Sequence, residues 1–265
     1  MQRSAAVRGT FYPRSCNEVG KIIASFNDEL SKRLKDKSIL KQNPRAIIAP
    51  HAGYVYSGFT ANLAHRLLKN SSAKRVIVIG PSHYVHIKGV SSIDADSYET
   101  PCGELPIDRD YLALMKKSFS IGYAPDAHRQ EHSTETQMPF IKHYFQKAKV
   151  IELIYGEVSY LELAKLCYEL LKDQDNVIVI STDLSHFHTE QEAEKLDNIC
   201  LNAIAKKDNT LINQGCEACG LTGVKAILEV AKKVNYEVKL LDYSTSADYS
   251  GDKSRVVGYV SAAIF

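Results

Sequence analysis

Val177-Ile178-Val179-Ile180-Ser181-Thr182-Asp183-Leu184-Ser185-His186 opens as an unbroken β-branched run and passes into polar residues that end in histidine. Apolar residues at successive positions suit a strand covered on both faces, as in a mostly parallel sheet. Two other runs end the same way. Arg45 to Ala49 leads into Pro50-His51-Ala52-Gly53-Tyr54, and Arg75 to Ile79 leads into Gly80-Pro81-Ser82-His83. Further runs cover Val150 to Ile154, Val238 to Leu241 and Val256 to Ile264. Parallel strands would bring His51, His83 and His186 to one edge, and ligands of open α/β sheets bind beyond the carboxyl ends of the strands. A lone histidine is usually a structural residue with one hydrogen bond; three at equivalent strand exits point to a shared site.

Helical patterns fill the gaps. Ser15 with Glu18, Ser159 with Glu162 and Thr189 with Glu192 are capping boxes, each followed by an apolar stripe such as Val19, Ile22, Ile23, Phe26, Leu30 and Leu34. Strand and helix alternate, which predicts a three-layer α/β/α sandwich with right-handed crossovers. The polar stretch Lys32 to Lys41 reads as a connector within one domain spanning residues 1–265.

With 33 basic against 31 acidic residues the chain has no electrostatic footprint for nucleic acid or an anionic membrane. No apolar stretch approaches the ~18 residues of a membrane span and the first residues have no signal-peptide core, so a cytoplasmic protein with a small-molecule or peptide ligand is expected. In that setting the six cysteines read as reduced thiols. Cys219 stands out, because it precedes Gly220 and a periodic helix, where the helix dipole would ease its ionisation. Cys216 and Cys219 form a lone Cys-x-x-Cys with no second pair to complete a zinc ribbon, so Cys216 reads as a bystander.

His128-Arg129-Gln130-Glu131-His132 fits the His-x-x-Glu-His pattern of one metalloprotease class, which needs both histidines on one helix. The alternative gives Glu131 and His132 outer hydrogen bonds to the crevice. No Gly-x-Ser-x-Gly elbow, Walker A loop or Gly-x-Gly-x-x-Gly fingerprint occurs, which removes the simplest support for serine acyl transfer, NTP hydrolysis and dinucleotide binding.

The ordered segments Arg8-Gly9-Thr10-Phe11-Tyr12-Pro13, Pro50-His51-Ala52-Gly53-Tyr54-x-Tyr56-Ser57-Gly58, Gly80-Pro81-Ser82-His83, Thr100-Pro101-Cys102-Gly103, Glu131-His132-Ser133-x-Glu135-x-Gln137-x-Pro139-Phe140, Ser181-x-Asp183-Leu184-Ser185-His186, Cys219-Gly220 and Gly258-Tyr259-Val260 resemble the Memo family, called AmmeMemoRadiSam system protein B in bacteria and archaea. That family is similar in fold to the LigB-type class III extradiol dioxygenases, in which two histidines and a carboxylate hold non-haem Fe(II). The resemblance implies that His51, His83 and Cys219 hold one metal ion, Fe(II) first, with copper or zinc as alternatives. It makes His186, oriented by Asp183, the acid/base. Tyr54, Tyr56, Ser82, Glu131 and His132 would line the pocket or support the ligands, and AMMECR1-like and radical SAM proteins would be partners. Three functions are then open: an iron oxygenase or related redox enzyme, a non-catalytic binder of metal or peptide, and a zinc-dependent hydrolase.

Overall fold

In the computed structural model, which describes residues 1–34 and 37–265, the apolar runs lie side by side. The strands are β1 (Gln2–Arg3), β2 (Ala46–Ala49), β3 (Arg75–Pro81), β4 (Val90–Ser92), β5 (Ser97–Thr100), β6 (Gly103–Pro106), β7 (Ile121–Tyr123), β8 (Lys149–Tyr155), β9 (Asn176–Ser181), β10 (His186–His188), β11 (Val238–Thr245) and β12 (Val256–Ile264). Nine of them form one sheet in the order β10, β12, β2, β9, β3, β8, β4, β7, with β11 along β12. The central four, β2, β9, β3 and β8, are parallel. Antiparallel pairs of β12 with β2, β10 and β11, and of β4 with β8, extend the sheet on both sides. Strands β1, β5 and β6 form a second, small sheet.

Alternate residues of the central strands part to opposite faces, as the period-2 geometry of a strand requires. Ile48, Ile77, Ile79, Ile178 and Ile180 pack with Leu163, Leu166 and Leu170 of helix Tyr160–Lys172 and Val224, Ile227 and Leu228 of helix Leu221–Lys233. Ile47, Val76, Val78, Val177 and Val179 face Val19, Ile23 and Phe26 of helix Cys16–Arg33 and Phe59, Leu63 and Leu67 of helix Tyr54–Leu68. The layers are helix, sheet, helix. All three capping boxes are made, at the starts of helices Cys16–Arg33, Tyr160–Lys172 and Glu190–Lys206. Of the connector at 32–41, residues 35 and 36 lie outside the described residues, and Ser38–Lys41 is a single 3₁₀ turn.

The cysteines depart from expectation. Cys16 is bonded to Cys102 and Cys200 to Cys216, leaving Cys167 and Cys219 free. Sequence separations of 86 and 16 conceal that the fold brings these pairs to Cα distances of 4.6 and 4.9 Å, within disulfide reach. Cys216 is therefore not a spare thiol. It ties the loop before helix Leu221–Lys233 to helix Glu190–Lys206.

Arg3 enters the interior from β1. Its Nη1 donates to Glu135 Oε2 at 2.6 Å, its Nη2 to the carbonyls of His128 at 2.7 Å and Glu131 at 3.0 Å, and the guanidinium lies 4.8 Å from the Tyr98 ring centre. Glu135 also accepts from the N–H groups of Ala6 and Val7 and from the Tyr12 hydroxyl. Removing one partner of such a buried pair strands the other charge. Arg3→Ala is therefore expected to cost about 3–5 kcal/mol in urea unfolding, and a loss under about 1 kcal/mol would show the pair to be replaceable. Because neighbours β2 and β9 come from distant parts of the chain, limited proteolysis is expected to yield no stable half; two separately folding fragments would contradict this.

Candidate metal centre

Parallel β2, β9 and β3 end at one edge, and the residues immediately after them are Pro50-His51, Thr182-Asp183 and Ser82-His83. Two glycines let neighbouring segments close over this edge. A Cβ on Gly80 would lie 2.6 Å from Ser133 Oγ, so only glycine admits the segment that carries Glu131 and His132. A Cβ on Gly220 would lie 2.6 Å from the Ser181 carbonyl oxygen, so only glycine lets the loop bearing Cys219 approach the end of β9.

His51, His83 and His132 converge there, each offering one ring nitrogen, with all three donor atoms within 4.8 Å of one another. Their rings stand 5.2 Å apart for His51 and His83, 5.3 Å for His51 and His132, and 4.6 Å for His83 and His132. Glu131 orients His83: Oε1 lies 2.8 Å from Nδ1, and Oε2 accepts the His83 backbone N–H at 2.6 Å. Burial pushes the Glu131 carboxyl up, but the bonds from His83 and the Ser133 N–H outweigh it and hold its pKa at about 2. As an acceptor-only carboxylate it accepts the hydrogen bond of His83 Nδ1–H, which leaves Nε2 as the ring atom available to a metal. Burial, with the other imidazoles near, lowers His51 to about 3 and His132 to about 4, so both are neutral at physiological pH. Neutral imidazoles are the ligating form.

Cys219 Sγ is 3.2 Å from His51 Nε2 and also accepts the Asp183 N–H at 3.2 Å. It touches the donor set through His51, while the group of three that converges has His132 as its third member. The easier ionisation expected of this thiol is not what its surroundings produce. Burial and the Asp183 carboxyl push its pKa up to about 12, outweighing the start of the helix. Asp183 Oδ1 accepts the His51 N–H at 2.8 Å and Oδ2 lies 3.9 Å from His51 Nε2; burial raises its pKa. Its hydrogen bond therefore goes to His51, and His186 acts on it only through space. His186, in β10 beside β12, likewise acts on His51 at longer range.

Other expected residues have different tasks. The buried Tyr54 hydroxyl donates to the Thr136 carbonyl and its ring stacks on Phe140, so it supports the crevice from the core. Ser82 Oγ donates to the Val85 carbonyl and shapes its own loop. Tyr56 is exposed. The protease pattern fails on geometry. Helix Pro125–Arg129 ends before Glu131, and His128 is buried with Nδ1 3.1 Å from Glu152 and Nε2 3.1 Å from Ser91. His128 and His132 thus serve separate sites.

Fold and site together define an α/β protein with a histidine-rich candidate metal centre at the carboxyl edge of its sheet. The chain belongs to the Memo family: the profile described as Memo-like protein matches residues 3–263. MEMO1 family proteins of Aquifex aeolicus and Archaeoglobus fulgidus are 35% and 32% identical to it, each alignment covering 97% of both chains. That of Thermotoga petrophila is 32% identical over the whole of both. Among solved structures, the Escherichia coli K12 protein JW3007 shares the fold at a TM-score of 0.53 and 12% identity, covering 83% of this chain and 99% of its own.

The neutral histidines set the acid stability of the metal-free protein. Unfolded histidines bind protons near pH 6.5, whereas folded His51 and His132 do so only near 3 and 4, so each contributes a fall in stability as pH drops from about 7 toward 4. The limiting slope is about 1.4 kcal/mol per histidine per pH unit. Urea unfolding at several pH values should show this fall, and a shallower one in His132→Gln. A slope unchanged in His132→Gln would mean that this imidazole is not held neutral by the fold.

Proposed function

We propose that the chain binds one metal ion through His51, His83 and His132, with Cys219 alongside, and that it is a non-haem iron oxidoreductase of the dioxygenase-like type acting on a small molecule. The observation that carries the reading is the convergence of three imidazole donors, two of them held neutral, at the edge where ligands of α/β sheets bind. Lone pairs gathered in a poorly hydrated space repel one another, and a cation turns that cost into bonding. Three protein donors leave positions open for a substrate, as in the facial-triad iron sites, and bound Fe(II) would supply dioxygen activation there. Imidazole also suits copper and zinc, so iron is the part of the reading that rests on resemblance.

Within such a site Glu131 and Asp183 hold the chain around His83 and His51 in place through their backbone N–H groups. His186 is half-buried in β10 within electrostatic reach of His51, and its imidazole is the group assigned to receive or deliver a substrate proton. Cys219 lies near enough to His51 to join the donor set or to stand beside it. Among the described residues no helix is long and apolar enough to cross a membrane.

Anaerobic Fe(II) titration of untagged protein tests the assignment. His51→Ala, His83→Ala and His132→Ala should each lose iron binding by more than hundredfold, while His186→Ala stays within the ~10 to 100-fold cost of an outer partner. If His186→Ala empties the site as His51→Ala does, His186 is a ligand. If His132→Ala keeps iron and Cys219→Ser loses it, the third ligand is the thiol. Bound iron without substrate-dependent oxygen uptake would leave a metal-binding protein that does not catalyse.

A further inference from the structure

His51 has two ring nitrogens and only one can face the donor set as a lone pair. Nothing on its own strand decides which. The decision is made by groups beneath it. His51 Nδ1 lies 3.0 Å from Ser181 Oγ, and a hydroxyl can stand on either side of that bond. Three further contacts remove the choice. Ser181 Oγ donates to the Ser133 carbonyl, which can only accept. Gln137 Nε2 donates to Ser181 Oγ at 2.9 Å and to the Pro50 carbonyl at 2.9 Å; because that carbonyl also only accepts, the amide cannot be turned round. Gln137 Oε1 is thereby free to accept from His65 Nε2 at 2.7 Å. With its one proton committed to Ser133 and one lone pair filled by Gln137, Ser181 has only an acceptor site left for His51.

We propose that Ser181 and Gln137 are positioning residues that lock His51 as the Nδ1–H tautomer, so that Nε2, which faces Cys219 Sγ at 3.2 Å, is presented to the metal as a lone pair. The inference rests on the metal reading for its purpose and on the hydrogen-bond directions for its content. All four side chains in the chain from His65 through Gln137 and Ser181 to His51 are buried, so bulk water does not compete for these bonds. Both fixed acceptors are backbone carbonyls next to site residues: Pro50 precedes His51, and Ser133 follows His132. One amide and one hydroxyl thus couple the tautomer of the first histidine to the segment that carries the third. His83 reaches the same state by a different device, the carboxylate of Glu131.

The test uses the full chain in its metal-free state, with ring ¹⁵N chemical shifts reporting the His51 tautomer and a zinc(II) competition titration reporting affinity. Wild type should show His51 protonated at Nδ1. Ser181→Ala removes the acceptor, so the Nε2–H form should become populated and zinc affinity should fall ten- to hundredfold. Ser181→Thr keeps the hydroxyl and should restore both readouts. Gln137→Met, close in volume but without the directing amide, should shift the tautomer in the same direction by a smaller amount and serves if Ser181→Ala does not fold. A His51 ring that stays wholly Nδ1–H in both variants, or a wild-type ring already protonated at Nε2, would overturn the inference. Wild type that shows the expected tautomer but takes up no zinc would instead sink the metal reading and leave the tautomer lock standing.

Discussion

Six of the seven residues from Glu131 to Gln137 carry polar side chains that are almost wholly excluded from solvent, and the centre depends on how that cost is met. A buried amide or hydroxyl without a partner costs several kcal/mol in an apolar medium, and an unpaired charge costs more. Here Glu131 is satisfied by His83 and Ser133, Thr134 donates to Glu152, Glu135 takes Arg3 and the first residues of the chain, and Gln137 bridges Pro50 and Ser181. These bonds tie the segment to the residues after β3, to β8, to the first residues of the chain, and to the ends of β2 and β9. His132, the one member left partly open, is held in the crevice as a result. Of the six buried side chains, the Thr136 hydroxyl is the one without a hydrogen-bond partner.

Local rules account for the part of the molecule that is legible in the sequence. The β-branched runs of β2, β3 and β9 are apolar because both faces are covered, and their exits mark His51, His83 and His186 without any knowledge of the topology; the first two stand in the donor group, while His186 lies at longer range. The capping boxes fix three helix starts because their chemistry is completed within four residues. Helix Tyr54–Leu68 escapes the same reading because twelve of its fifteen residues are buried, so it has no apolar stripe to detect. Strands β4 to β7 escape it because three or four residues cannot establish an alternation.

The remainder of the site is not local and could not be read in that way. His132 joins the donors because Gly80 lets its segment close, while the pattern His128 to His132 suggested one helix that ends too soon. Cys219 reads as ionisable from its place before a helix, but burial and Asp183 decide otherwise. Ser181 looks like the last residue of a strand, and only its neighbours in space reveal that it faces His51. In all three cases the deciding partner belongs to a different element of the fold, far along the chain.

The order of the strands has a kinetic side. β2 lies between β9 and β12, neighbours that follow it by well over a hundred residues, and Arg3 in β1 finds its carboxylate in Glu135. A topology dominated by distant pairings must close large loops before contacts repay the entropy, which places folding toward the slow end for a chain of this size. During synthesis the first half of the sheet waits with an open edge until Val256 to Ile264 leaves the ribosome, and the crevice has both its walls only after that last strand has docked.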